Sequence, residues 1–234
     1  MKFSISIYLS LFLPFFSFAQ TSNYYLNEAN EFIKIDDHYN AVNSLNSAIE
    51  IDSNYGIAFF LRAKSHVILG NKSSAIDDFT KAISLDYICG STYVDRGSLY
   101  YDLGNLKFGI NDFNKAVQLN PISFSAYFMR GMSYKSLKQY KSAIMDFSKA
   151  IEIYPFYLEA YYFRGMTYDL MGMSESSLKD YSKVISLDSS WVYAFKFRGL
   201  AKEKIGIDYC DDFKKACFLK ENEACEWWDE KCNN

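Results

Sequence analysis

An all-α stack of about six helix-turn-helix units, each 34 residues long, is the fold this sequence predicts. Three observations predict it. An arginine recurs as Arg62, Arg96, Arg130, Arg164 and Arg198, each 34 residues after the last. A second signature recurs as DFTKA at 78–82, DFNKA at 112–116, DFSKA at 146–150, DYSKV at 180–184 and DFKKA at 212–216, on the same period until a final step of 32. Around both, apolar residues return three and four positions apart, as in Ala143, Ile144, Phe147, Ala150 and Ile151, which is the stripe of an amphipathic helix. Two signatures locked to one period mean a repeat architecture, in which each unit buries its apolar face on its neighbours.

Taken in order, the chain opens with a segment unlike the rest. Residues 1–19, MKFSISIYLSLFLPFFSFA, hold one lysine, a short apolar stretch and small residues at Ser17 and Ala19, the pattern of a cleaved secretory leader. The stretch is short for a membrane span and contains Pro14, so the mature chain is expected to start at Gln20, outside the cytoplasm (periplasmic or secreted), with no membrane insertion after cleavage. The repeats then fill 20–220, in units of about 22–55, 56–89, 90–123, 124–157, 158–191 and 192–220, and 221–234 forms a terminal capping helix. The first unit is degenerate, with Ala29, Ala41 and Ala48 at the places of the small residues. Helix breaks fall at LGNKS, LGNLK, SLKQY and MGMSE, and Pro121 and Pro155 close two of the second helices. Only 3 Pro and 11 Gly in 234 residues, and no strand-type alternation, leave no room for a turn-rich β fold.

At these residues the chain resembles the tetratricopeptide repeat family. Small residues stand where that family packs its two helices closely, at Ala63 with Ala75, Gly97 with Gly109, Gly131 with Ala143 and Gly165 with Ser177. Tyr100, Tyr134 and Tyr168 match its first-helix aromatic, and Phe79, Phe113, Phe147 and Tyr181 match its second helix, each followed by Ala82, Ala116, Ala150 or Val184. The resemblance implies a right-handed superhelix whose concave surface, made by first helices, binds peptides or protein segments. The first unit lacks the arginine, most units lack the closing proline, and the sixth is two residues short, as suits terminal caps.

The five arginines read as architecture, because a catalytic residue would occur once. A buried guanidinium needs a carboxylate, and the carboxylates sharing its period are Asp78, Asp112, Asp146, Asp180 and Asp212. An Arg–Asp ladder between each first helix and a second helix, of the same or the preceding unit, is the expectation.

Chemistry is not legible elsewhere. The two histidines, His38 and His66, lie in different units, and His66 takes the place of a packing tyrosine. No metal-binding, phosphate-loop or nucleophile-elbow motif occurs. Adjacent carboxylates such as Asp77 and Asp78 diverge by about 100° on a helix, so no facing pair is singled out. The expectation is a protein that is not an enzyme and takes no cofactor or metal. A net charge of −3 gives no basic face for nucleic acid.

Four of the five cysteines crowd the C-terminus, at Cys210, Cys217, Cys225 and Cys232. Folding that region as a hairpin about Glu221 sets Cys217 opposite Cys225 and Cys210 opposite Cys232, so one geometry satisfies both bridges. Two disulfides stapling the cap are expected; zinc ligation, free thiols and other connectivities are the alternatives. Cys89 reads as a small buried apolar residue.

The function expected is a scaffold binding a protein or peptide segment in the groove. In each first helix two bulky residues adjoin: Phe59 and Phe60, Tyr93 and Val94, Tyr127 and Phe128, Tyr161 and Tyr162. The first matches the family's inter-helix core position, so Phe60, Val94, Phe128 and Tyr162 should face the groove, with Lys64, Ser98, Met132 and Met166 one turn on. A structural subunit of an envelope or secretion assembly, with Trp227 and Trp228 as a docking tip, and a glycan-binding accessory protein are the alternatives.

Overall fold

Helices alone make up the described structure, a computed structural model that covers residues 13–88 and 91–233. The first twelve residues of the leader, and Cys89, lie outside the described residues. The elements are α1 (Leu13–Lys34), α2 (His38–Ile51), α3 (Gly56–Ile68), α4 (Lys72–Ser84), α5 (Thr92–Asp102), α6 (Leu106–Leu119), α7 (Phe124–Ser136), α8 (Tyr140–Ile153), α9 (Leu158–Leu170), α10 (Ser174–Leu187), α11 (Val192–Lys204), α12 (Cys210–Phe218) and α13 (Asn222–Cys232). They alternate as first and second helices of successive hairpins.

The turn inside each hairpin has one chemical requirement, repeated every 34 residues. Asp36, Gly70, Gly104, Lys138, Gly172 and Gly206 all have positive φ, between 59° and 78°. That left-handed residue reverses the chain in three or four residues, and only glycine adopts it without strain. Lys138 and Asp36 therefore pay a local cost that the other turns avoid.

The chain divides into two compact units, Met1–Leu99 and Tyr100–Asn234. In the first, α1 packs on α2, α2 on α3 and α3 on α4. Leu26, Ala29, Leu45, Ala48 and Ala58 form one buried cluster, and Ala63, Ala75, Phe79 and Leu99 form a second. In the other unit the packing runs α6–α7–α8–α9–α10–α11–α12–α13, each helix on the next. Phe113, Phe147, Tyr181 and Phe213 are fully buried there, one per second helix. Burying each such ring contributes roughly 1.5–3 kcal/mol.

At the helix-packing glycines a side chain would meet the ring of the second helix, and at Gly131 also the carbonyl oxygen of the expected Ala143, at 3.3 Å. A Cβ on Gly131 would stand 2.8 Å from the Phe147 ring, on Gly165 2.9 Å from the Tyr181 ring, and on Gly199 2.5 Å from the Phe213 ring. The missing side chain makes room for the buried ring of the second helix.

The last hairpin takes its two-residue deficit from the start of its second helix, after a turn of five residues where the preceding hairpin has three. The helix α12 has only nine residues and starts late, with Asp208 accepting from the Cys210 N–H. Beyond it, α13 lies against α12, and Glu221 caps it by accepting from the Ala224 N–H. Cys210 pairs with Cys232 and Cys217 with Cys225, at Cα–Cα separations of 5.6 and 4.5 Å. Trp227 packs on Phe213, ring centroids 5.5 Å apart, so it belongs to the core of the cap.

Candidate functional site

The arginines come first, because they fix the first helices from which any binding surface is built. Arg62 donates from Nε and NH2 to both carboxylate oxygens of Asp78, at 2.8 and 2.7 Å. Arg130 holds Asp146 and Arg164 holds Asp180 at the same two distances, and Arg198 holds Asp212 at 3.0 and 2.6 Å. The carboxylate is in every case on the second helix of the arginine's own hairpin. Arg96 and Asp112 lie one in each compact unit.

The third guanidinium nitrogen reaches backwards. NH1 donates to Asn46 from Arg62, to Thr80 from Arg96, to Asn114 from Arg130, to Ser148 from Arg164 and to Ser182 from Arg198. Each guanidinium also lies over a ring of its own helix, as Arg62 does over Phe59 and Arg130 over Tyr127, both at 5.3 Å. One side chain thus ties three helices together. In the first hairpin, where no arginine stands, Glu28 takes its place and accepts from Ser44 at 2.7 Å, across the same 16-residue spacing. Burial pushes the Asp180 carboxyl up despite the hydrogen bonds from Arg164; burial also pulls Arg164 down, but the hydrogen bonds and charge of Asp180, with the nearby Tyr168 and Tyr161, together raise it. These residues offer no free group for chemistry.

The surface left between hairpins is the candidate site. In the Tyr100–Asn234 unit α9 touches the first helices α7 and α11 as well as its sequence neighbours. Met132, Tyr162 and Met166 are part-exposed on these helices. Phe128 is different: it is only 9% exposed, and its ring packs on Phe147, Tyr157 and Phe163. The expectation that Phe128 is open to a partner is corrected, because the ring reaches forward and fills the junction with the next hairpin. Tyr162 does the same more loosely, against Tyr181, Trp191 and Phe197, and burial raises its phenol to about 12. In the Met1–Leu99 unit Phe60 lies against Phe79 and Tyr87, Val94 is part-exposed, and exposed Lys64 reaches Asp95 at 3.4 Å.

Among the described residues no group of three or more His, Cys, Asp or Glu is placed to hold a metal, and no helix is long and apolar enough to cross a membrane. His38 is buried between Ser65 and Asp36, each 3.2 Å away. His66 lies beside Asp78 at 3.9 Å, and burial lowers its pKa against the pull of that carboxylate. Both are packing residues.

Family models described as tetratricopeptide repeat match residues 22–55, 57–89, 90–123, 124–157 and 158–190, more than half of the chain. The chain belongs to the tetratricopeptide repeat family. A search of curated proteins finds no match. Among solved structures, a tetratricopeptide repeat protein from Parabacteroides merdae superposes with a TM-score of 0.70 at 19% identity, covering 90% of this chain and 98% of its own. The C-terminal part of a repeat protein from Cytophaga hutchinsonii gives 0.75 at 16%, over 88% and 83%. YrrB, described as having an unusual peptide-binding site, gives 0.68 at 24%, over 74% and 89%. Tetratricopeptide repeat proteins are generally non-enzymatic scaffolds, and no enzyme family is indicated here. The family models stop at residue 190, whereas the structure carries the same hairpin through α11 and α12.

Two sets of residues escaped the sequence reading. The backward partners Asn46, Thr80, Asn114, Ser148 and Ser182 share the 34-residue period and are all hydrogen-bonding side chains, so the signal was present. Lys196 occupies the slot held by Phe60, Val94, Phe128 and Tyr162 in other repeats, yet it is buried and bonded to Glu221 and Glu223 of the cap. A charge at an otherwise apolar periodic position was its signal.

Proposed function

We propose that this tetratricopeptide repeat protein is a scaffold that holds an extended or helical protein segment in the groove formed by α7, α9 and α11. The reading is supported by the contact of α9 with both neighbouring first helices and by the part-exposed Met132, Tyr162 and Met166 on those helices. Methionine and aromatic side chains make an adaptable apolar surface of the kind that accepts a helix face or strand. YrrB, of similar fold, is described as binding a peptide. The rungs keep that surface rigid, so the ordering cost of binding falls mainly on the partner.

The protein works outside the cytoplasm in this reading. The leader-like residues 1–19 and the two cysteine pairs of the cap support it. Mass spectrometry of the protein from its native cell should find a mature chain starting at Gln20; an intact Met1 in the cell-envelope fraction would count against export with cleavage.

The test of the groove is a peptide-display selection on the oxidised full chain. Selected peptides should lose binding at least tenfold to Met132→Glu with Met166→Glu, while the melting midpoint stays within a few degrees. Peptides indifferent to that pair, and displaced instead by changes at exposed Met145 on α8, would move the site to the second-helix face.

A further inference from the structure

We propose that the segment bound in this groove presents a side-chain carboxylate to Lys135, with apolar side chains on either side of it. The inference rests on the groove reading above and names the chemistry of its occupant. Three lysines project from first helices toward the first helix of the following repeat. Lys64 meets Asp95 at 3.4 Å. Lys196 meets Glu221 at 2.9 Å and also Glu223. Lys135 meets no carboxylate among the described residues; its ammonium lies 5.4 Å from the centroid of the Phe163 ring. Phe163 stands 68 residues after Asp95, in the same slot of its repeat. Lys135 is not the counterpart of Lys64, whose place in this repeat is taken by Met132; it reaches the Phe163 ring from one turn further along α7.

The consequence is a cation held on the groove face and compensated by nothing but a ring. Burial lowers the pKa of Lys135, and no neighbouring carboxylate lifts it. The nearest candidate in sequence register, Asp169 on α9, is engaged with the second helix, accepting from Ser177 Oγ at 2.6 Å and from the Tyr181 hydroxyl at 2.7 Å. Met132, one turn back on α7, and Phe163 supply apolar walls. An ion pair formed in such partly dry surroundings is stronger than one in open solvent, where pairs contribute little. A phosphate group or a chain terminus would call for several converging donors, and the arginines that would supply them are already bonded to aspartates. One ammonium between apolar walls fits one Asp or Glu side chain of a segment that continues past it.

The test uses peptides blocked at both ends, selected by display against the oxidised full chain. The selection should yield one Glu or Asp at a fixed position flanked by apolar residues. Replacing that Glu by Gln should weaken binding to the natural protein about tenfold or more. Lys135→Met should weaken the Glu peptide by a similar factor and leave the Gln peptide unchanged. Lys135 has no ionic partner to orphan, so Lys135→Met and the second variant Lys135→Gln should melt no lower than the natural protein. Equal binding of Glu and Gln peptides, or equal loss of both on Lys135→Met, would overturn the carboxylate assignment while leaving the groove reading in place. Peptides that tolerate Met132→Glu with Met166→Glu would instead overturn the groove reading itself.

Discussion

Arg130 shows what one residue does in this chain. It bonds Asp146 with two nitrogens and Asn114 with the third, and it covers the Tyr127 ring. Taking a guanidinium and a carboxylate out of water offsets much of their attraction, so the pair adds little net stability, yet losing one partner strands the other. Arg130→Met should cost about 2–4 kcal/mol in urea unfolding, and adding Asp146→Leu should recover part of that loss. Strictly additive losses would mean that the two side chains are not coupled. Lys138 holds the turn position that is glycine in four other repeats. Lys138→Gly should stabilise by about 0.5–1 kcal/mol, since a left-handed side-chain-bearing residue costs about 1–2 kcal/mol and glycine's looser unfolded chain takes some back. Lys135 adds a pH-dependent case. Its pKa is lower in the folded than in the unfolded chain, so its charged form weakens the fold below the folded pKa, and that weakening fades as pH rises from the folded pKa to the ordinary lysine value. Thermal melts of Lys135→Met should therefore show a gain at pH 7 that is gone above about pH 10.4.

At the scale of helices, the contact of first helix with second is set in three hairpins by a glycine, Gly131, Gly165 or Gly199, and a ring. A Cβ at Gly165 would meet the Tyr181 ring at 2.9 Å, and that ring is pinned by the bond from its hydroxyl to Asp169. Gly165→Ala should therefore cost about 1–3 kcal/mol through overpacking. Cutting the hydroxyl bond as well, with Tyr181→Phe, tests whether the pinned ring is what makes the glycine necessary: the alanine should then be better tolerated. The capping helix α13 is held by the two cysteine pairs, by Lys196 to Glu221 and Glu223, and by Trp227 on Phe213. In a stack where each repeat touches only its neighbours, loosening one end leaves the rest in place. Reduction should speed amide exchange in α13 and α12 while α7 and α8 keep their protection. Uniform loss of protection along the chain would show a cooperativity that nearest-neighbour packing does not supply.

For the whole molecule, much was legible because a repeat states each rule five times over. The period exposed the arginines, the aspartates and the paired helices before any coordinates. It did not decide which second helix supplies the carboxylate, because a 34-residue period places an equivalent Asp both before and after each Arg. The structure selects the carboxylate of the same hairpin and gives the backward position to Asn46, Thr80, Asn114, Ser148 and Ser182. Nor did periodicity reveal the burial of Phe128. Helix geometry says that Tyr127 and Phe128 diverge, but not that the second ring reaches Tyr157 and Phe163 of the next repeat. Periodicity sets Lys196 in the slot of Phe128 and Lys135 seven residues beyond that slot, but it does not say that the first is bonded to the cap and the second lies over an aromatic ring.

A partner segment lying along the first-helix groove is open to site-specific photocrosslinking in the native cell. A benzophenone side chain would be placed singly at Met166, part-exposed on the first helix α9, and at Met145, exposed on the second helix α8 of the preceding hairpin. Irradiation should give a discrete adduct from position 166, lost when Met132→Glu is added, and none from position 145. An adduct formed from position 145 and not from 166 would contradict that placement.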